Sequence, residues 1–192
     1  MKKGLIGLIT AIALSPALAN AQSYGMGAGA GLYLGMSAGK TEVESSTLDN
    51  ANSLTGVNVD DSDTGFKVFG GTRINPNMAV EVFYNDFGEF SIDTPAASFT
   101  STTEASTVGF AFTGILPVTP DIEVFGKLGM HSWKTDFKSN DGQSNDDDGF
   151  DATFGAGVAL NIQQITIRAE LERYKLDSDD VDMMSVGVAY RF

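Results

Sequence analysis

The sequence predicts an all-β chain, folded as an eight-stranded antiparallel up-and-down transmembrane β-barrel. Three observations carry this expectation: an exported N-terminus, eight stretches of alternating hydrophobicity, and connections that alternate between long and short. The C-terminal segment is the clearest of the eight. Met184, Val186, Val188, Tyr190 and Phe192 form an apolar row, and Met183, Ser185, Gly187, Ala189 and Arg191 lie between them. Successive side chains on a strand point to opposite faces, so one face is oily and the other narrow and largely polar. A membrane barrel turns such an apolar face to lipid and the polar face to its lumen.

Residues 1–21 have the three parts of a secretory leader: basic Lys2 and Lys3, the apolar run Gly4 to Leu14, and the A-x-A site Ala19-Asn20-Ala21. The apolar run is well short of the roughly 20 residues a spanning helix needs. No other segment has an apolar run of that length, and in lipid only helices and closed barrels satisfy the backbone. Strands are therefore expected to cross the membrane. A glycine-rich lead-in occupies residues 22–31, and the barrel domain is expected over 32–192.

The eight expected strands are Leu32–Thr41, Gly65–Ile74, Met78–Phe87, Thr103–Leu116, Ile122–Phe137, Phe150–Leu160, Ile165–Leu176 and Asp182–Phe192. Each has at least about the 9–11 residues that a tilted strand needs to cross the hydrocarbon. The connections 42–64, 88–102 and 138–149 read as long loops, and 75–77, 117–121 and 161–164 as tight turns; 177–181 fits either class. Outer-membrane barrels sort their connections in this way, with short periplasmic turns and long extracellular loops. The expected location is the outer membrane of a Gram-negative bacterium, with both termini periplasmic and the long loops outside.

Face assignment follows from parity. Leu34, Met36, Val68, Val82, Tyr84, Phe110, Leu128, Phe154, Ile167 and Leu171 are among those expected to face lipid. Tyr33, Ser37 and the charged Arg73, Glu81, Lys127, Arg168 and Glu170 are expected inside. Eight strands leave an interior only wide enough for side chains, so these charges are expected to pair and plug the lumen. A second set of cations, Lys40, Lys134, Arg173 and Lys175, shares the outward parity at the loop-side strand ends. There they would face lipopolysaccharide phosphates.

The formal net charge of −13 becomes −15 once Lys2 and Lys3 leave with the leader, which argues against a nucleic-acid partner. Acid concentrates at Asp60, Asp61, Asp63, Asp141, Asp146 to Asp148, Asp177, Asp179 and Asp180, and no segment has the spacing of a calcium loop. Solvated loops without metal are expected. His131 and Ser132 are neighbours on a strand and so point to opposite faces, which excludes a nucleophile–base pair between them. His131 is expected in the lumen near Glu81 or Tyr33. No catalytic or cofactor-binding residues are expected.

Four blocks, in order, resemble the OmpA-like transmembrane domain family. Gly70 to Val82 (GGTRINPNMAVEV) is similar to its second hairpin, and Phe125 to Gly129 (FGKLG) through Trp133 to its fifth strand. Arg168 to Tyr174 (RAELERY) and Ser185 to Phe192 (SVGVAYRF) resemble its last two strands. The resemblance implies a barrel with a side-chain-filled interior. It also implies that Tyr190 and the terminal Phe192 form a signal read by the barrel assembly machinery. Glu81 and Arg168 match the family's luminal glutamate and arginine, whereas the positions of a second lysine and glutamate read Thr113 and Ala159. A different network is therefore expected from Arg73, Glu123, Lys127, Glu170 and Glu172. Cell-wall tethering, which full-length members owe to a further periplasmic domain, is not expected. The functional expectation is a monomeric protein embedded in lipid and lipopolysaccharide that supports envelope integrity and surface presentation. A narrow channel for ions or small solutes, and an adhesin acting through the 42–64 and 138–149 loops, are the alternatives.

Overall fold

In a computed structural model, residues 31–44, 58–60, 62–94, 99–139, 144–176 and 179–192 are described. The expected leader and residues 22–30 of the lead-in lie outside them. The elements are β1 (Leu32–Glu44), β2 (Asn58–Asp60), β3 (Ser62–Asn75), β4 (Met78–Thr94), β5 (Phe99–Pro117), β6 (Ile122–Ser139), β7 (Ser144–Ile162), β8 (Ile165–Leu176) and β9 (Asp179–Arg191). Each long strand pairs antiparallel with its neighbours in the chain. β1 closes the ring by pairing with β9, from Tyr33↔Arg191 to Glu44↔Asp180. The result is a closed barrel of eight staves, and closure removes the sheet edges that lipid could not hydrogen-bond.

Three tight turns and both ends of the barrel domain share one rim. Pro76-Asn77 joins β3 to β4, residues 118–121 join β5 to β6, and Gln163-Gln164 joins β7 to β8. Gln163 has φ of 54°, the left-handed backbone that a two-residue hairpin turn favours. On the same rim, the N–H of Phe192 donates to the carbonyl of Leu32 at 2.9 Å.

The far rim corrects the sequence reading. Residues 88–102 and 138–149, expected as long loops, are mostly strand: β4 runs to Thr94, β5 starts at Phe99, β6 ends at Ser139 and β7 starts at Ser144. Both faces of a hairpin outside the membrane can be wet, so alternation fades there although β-branched residues such as Thr100, Thr102 and Thr103 still favour strand. Within the expected 42–64 loop, β1 continues to Glu44 and β2 pairs Asn58–Asp60 with Ser91–Asp93; residues 45–57 and 61 lie outside the described set. In the ambiguous 177–181 connection, residues 177–178 lie outside the described set, and Leu176 pairs with Asp179.

The faces fall as parity requires. Leu128 is 65 % exposed and Val186 62 %, whereas Glu81 and Lys67 are 0 % exposed. The outward rows of β1, β4, β6, β8 and β9 stay apolar from the turn rim to Lys40, Asp86, Ser132, Arg173 and Asp182. On β9 that belt spans the ten positions below Asp182, or about 25 Å for a strand tilted by some 40°. So much continuous exposed apolar surface is stable only against lipid.

Candidate functional site

The middle of the lumen is an ion cluster drawn from three directions. Lys67 comes from β3, Glu81 from β4, Lys127 from β6, and Arg168, Glu170 and Glu172 from alternate positions of β8, so their parity turns all six inward. Lys67 Nζ donates to both oxygens of Glu172 at 2.6 Å and to Glu170 at 3.2 Å. Lys127 Nζ bridges Glu81 (2.5 Å), Glu170 (2.8 Å) and Glu172 (3.3 Å). Arg168 reaches Glu81 through Nη1 and Glu170 through Nε, both at 2.8 Å, and the Tyr33 hydroxyl donates to Glu81 at 3.0 Å. Three cations therefore meet three carboxylates, and the cluster is neutral. Isolated buried ions would be prohibitively expensive, whereas paired and hydrogen-bonded ones persist.

Aromatic rings complete the packing. The Arg168 guanidinium lies 4.5 Å from the centre of Phe69 and 4.7 Å from that of Phe125, and Lys67 Nζ lies 5.5 and 5.6 Å from Phe69 and Phe83. Such contacts give the cations a favourable face beyond their carboxylates. Gly35 admits the Phe69 ring: a Cβ there would come within 2.5 Å of it.

Of the expected lumen charges, Glu81, Lys127, Arg168 and Glu170 come together, and Arg73 does not join them. Arg73 forms a two-pronged pair with Glu123 nearer the turn rim. A cavity of about 40 Å³ lies between that pair and the main cluster, lined by Tyr33, Arg73, Thr113, Glu123, Phe125 and Arg168 among others. It has space for a few water molecules. Sequence reasoning missed Lys67, although its parity matches that of Arg73 on the same strand.

Above the cluster, away from the turns, the lumen becomes apolar. Phe83, Phe87, Phe90, Trp133, Tyr174, Leu176, Val181 and Met183 are buried together. Tyr174 sits edge-on to Phe87, Phe83 and His131, with ring centres 5.0, 5.9 and 5.4 Å away. His131 faces the lumen as expected, but it packs in this layer instead of near Glu81 or Tyr33. Its Nδ1 lies 2.6 Å from Thr107 Oγ1, and that hydroxyl also lies 2.9 Å from the Ser132 carbonyl oxygen. Asp151 accepts from Trp133 Nε1 at 2.9 Å. This lid was invisible to a reading that sent apolar residues outward.

Lys40, Lys134, Arg173 and Lys175 do share the outer face, and each has a carboxylate close by. Lys40 lies 3.7 Å from Glu42, Lys134 3.7 Å from Asp136, and Lys175 3.6 Å from Asp180. Arg173 grips Asp182 with two nitrogens, at 2.6 and 2.5 Å. The collar is of mixed sign. Asp63, expected as part of a solvated acidic loop, is a clamp: it accepts the N–H groups of Glu89 at 2.7 Å and Thr64 at 2.6 Å, which hold its carboxyl below the usual range. Among the described residues, no group of three His, Cys, Asp or Glu is placed to hold a metal. Tyr190 and Phe192 stand side by side on the outer face, with ring centres 5.2 Å apart.

An oily exterior around a paired ionic interior, on eight closed staves, defines a transmembrane barrel of the outer-membrane class. The chain belongs to the outer membrane protein beta-barrel domain family, whose model matches residues 7–192. It is 28 % identical over 198 residues to outer membrane protein A of Escherichia coli O157:H7, covering 95 % of this chain and 54 % of that protein. For the Klebsiella aerogenes protein of the same name, identity is 26 % over 196 residues, with 95 % and 55 % covered. The chain thus spans about half the length of these curated relatives. Among solved structures, Ail, the attachment invasion locus protein of Yersinia pestis, matches with a TM-score of 0.59 at 18 % identity, covering 86 % of this chain and 100 % of that one. The N-terminal barrel of Pseudomonas aeruginosa OprF matches at 0.56 and 13 % identity, with 83 % and 97 % covered. The family places the chain in the outer membrane of a Gram-negative cell.

Proposed function

We infer that this barrel is a sealed membrane anchor that supports the envelope and presents its tall far-rim sheet to the cell exterior. The carrying observation is the neutral six-charge cluster, stacked beneath an apolar lid. A solvated ion that entered would have to break buried pairs and then cross an oily layer, and each step opposes flow. The work is mechanical and non-enzymatic.

The turn rim, with both ends of the barrel domain, faces the periplasm in this reading. The paired rings of Tyr190 and Phe192 support a role as the handle taken by the barrel assembly machinery. The mixed-sign collar suits a lipopolysaccharide layer in which Lys40 and Lys134 meet phosphates and neighbouring acids exclude closer crowding. Planar-bilayer recording of the purified protein is the test. The expected trace has no steady conductance; a stable nanosiemens-scale pore overturns the seal and favours the channel.

A further inference from the structure

Inside the barrel mouth at the turn rim, charge does not balance. Arg73 of β3 and Arg191 of β9 share the inward parity, and both guanidinium groups act on the Glu123 carboxylate of β6. Arg73 holds that carboxylate with two nitrogens. Arg191 makes no ion pair among the described residues, and its Nη2 donates to the Gln163 carbonyl at 2.5 Å. Arg168 is neutralised within the six-charge cluster. The mouth is left with two cations to one carboxylate.

The cavity of about 40 Å³ touches all of these groups, with Arg73, Glu123, Arg168 and Arg191 in its wall. Its space comes from short inward side chains, Ala159 of β7 and Ala189 of β9, set among longer ones. Thr113 of β5 also lines it and is 5 % exposed, and its hydroxyl has no hydrogen-bond partner among the described residues. A buried hydroxyl without a partner is costly, and it can donate to whatever fills the space. Both arginines keep N–H donors in hand, since Arg73 spends two nitrogens on Glu123 and Arg191 one on Gln163. The Arg73 and Glu123 side chains retain 17 % and 11 % exposure, so solvent reaches the site from the turn rim.

We propose that this cavity is a binding site for a small oxyanion of the phosphate or carboxylate class, held by Arg191, Arg73 and the Thr113 hydroxyl. The planar guanidinium forks match the paired oxygens of such an anion. The excess positive charge, enclosed by low-dielectric walls, draws it in. Space for a few water molecules fits an anion of a few heavy atoms and refuses a polypeptide. Because the arginines point into the lumen, headgroups of the surrounding lipid do not reach them, and the ligand is a free ion. Once bound, it ties β3, β5 and β9 together across the mouth. The site works the same way whichever side of the membrane the turn rim faces, and whether or not the lumen conducts.

The test uses the purified, folded protein in maltoside micelles, which carry no phosphate, with inorganic phosphate and acetate titrated separately against chloride at constant ionic strength. Amide resonances of Thr113 and Arg191 are expected to shift and saturate, while that of Val186 on the outer belt stays still. Saturation by either anion supports the site, and the lower midpoint names the class. Saturation by neither at about 100 mM, where a site of millimolar affinity is full, overturns the proposal. So does an equal shift with chloride alone, which reports screening. Arg191→Gln removes the uncompensated charge and is expected to weaken binding about tenfold. Thr113→Val keeps the shape, loses the hydroxyl and is expected to weaken it about fivefold. Heat-modifiable mobility verifies that each variant is folded; unchanged midpoints in both folded variants place the anion elsewhere and sink the assignment.

Discussion

Replacing Lys67 by methionine removes a cation that touches both oxygens of Glu172 at 2.6 Å and Glu170 at 3.2 Å, in a lumen where Lys67 is 0 % exposed. The methionine keeps the stem that packs beside Phe69 and Phe83, so volume changes little and charge changes by one. Lys127 and Arg168 then face three carboxylates, and the buried cluster carries a net −1. Breaking one side of a buried pair typically costs about 3–5 kcal/mol, because the partner charge stays behind in a poor solvent. The assay is equilibrium urea unfolding of the barrel in detergent, followed by tryptophan emission and heat-modifiable gel mobility. Glu172→Gln alone leaves an excess cation and is expected to destabilise by a similar amount. The double variant is neutral again, so its loss should be smaller than the sum of the two singles by at least about 2 kcal/mol, the coupling expected of residues in direct contact. Losses under about 1 kcal/mol that simply add would refute the reasoning, by showing that the cluster is hydrated and loosely coupled.

Other perturbations probe different levels. Leu128→Arg places a charge midway along the outer belt and is expected to destabilise by about 2–4 kcal/mol in lipid, measured by folding in vesicles; a neutral result would deny that this face meets hydrocarbon. Gly88 has φ of +84°, and a Cβ there would lie 2.5 Å from Asp63 Oδ2. Gly88→Ala is thus expected to loosen the β3–β4 clamp by at least about 1 kcal/mol, seen as faster amide exchange at Glu89. The Asp63 clamp also predicts a pH dependence. Its carboxyl is held low by the N–H groups of Glu89 and Thr64, so its contribution is complete above the ordinary carboxylate range and is lost as pH falls through the lowered value. Acid should therefore accelerate exchange at Glu89, and Asp63→Asn should flatten that response.

Parity made most of the barrel legible. In lipid the inside–outside rule is strict over the strand centres, where a wrong-facing charge is costly, so Val186, Val188, Glu81 and Arg168 all sit where alternation sends them. The rule fails beyond the belt. Water reaches both faces there, alternation loses its meaning, and the outer parts of β4 to β7 read as loops although they pair as sheet. It also fails inside the far rim, where Phe87, Trp133 and Tyr174 are apolar and inward.

The amino-acid order by itself determined the number of barrel staves, their faces, the three tight turns and most of the lumen charges, because each is a local consequence of side-chain alternation or turn chemistry. Which charges pair was decided only in three dimensions. Lys67 meets Glu172 across 105 positions of chain, Arg73 leaves the central cluster for Glu123, and each collar cation finds an acid beside it. The unequal extents of the β6–β7 and β7–β8 pairings belong to register as well. Register is a property of pairs of strands, and no single strand carries it.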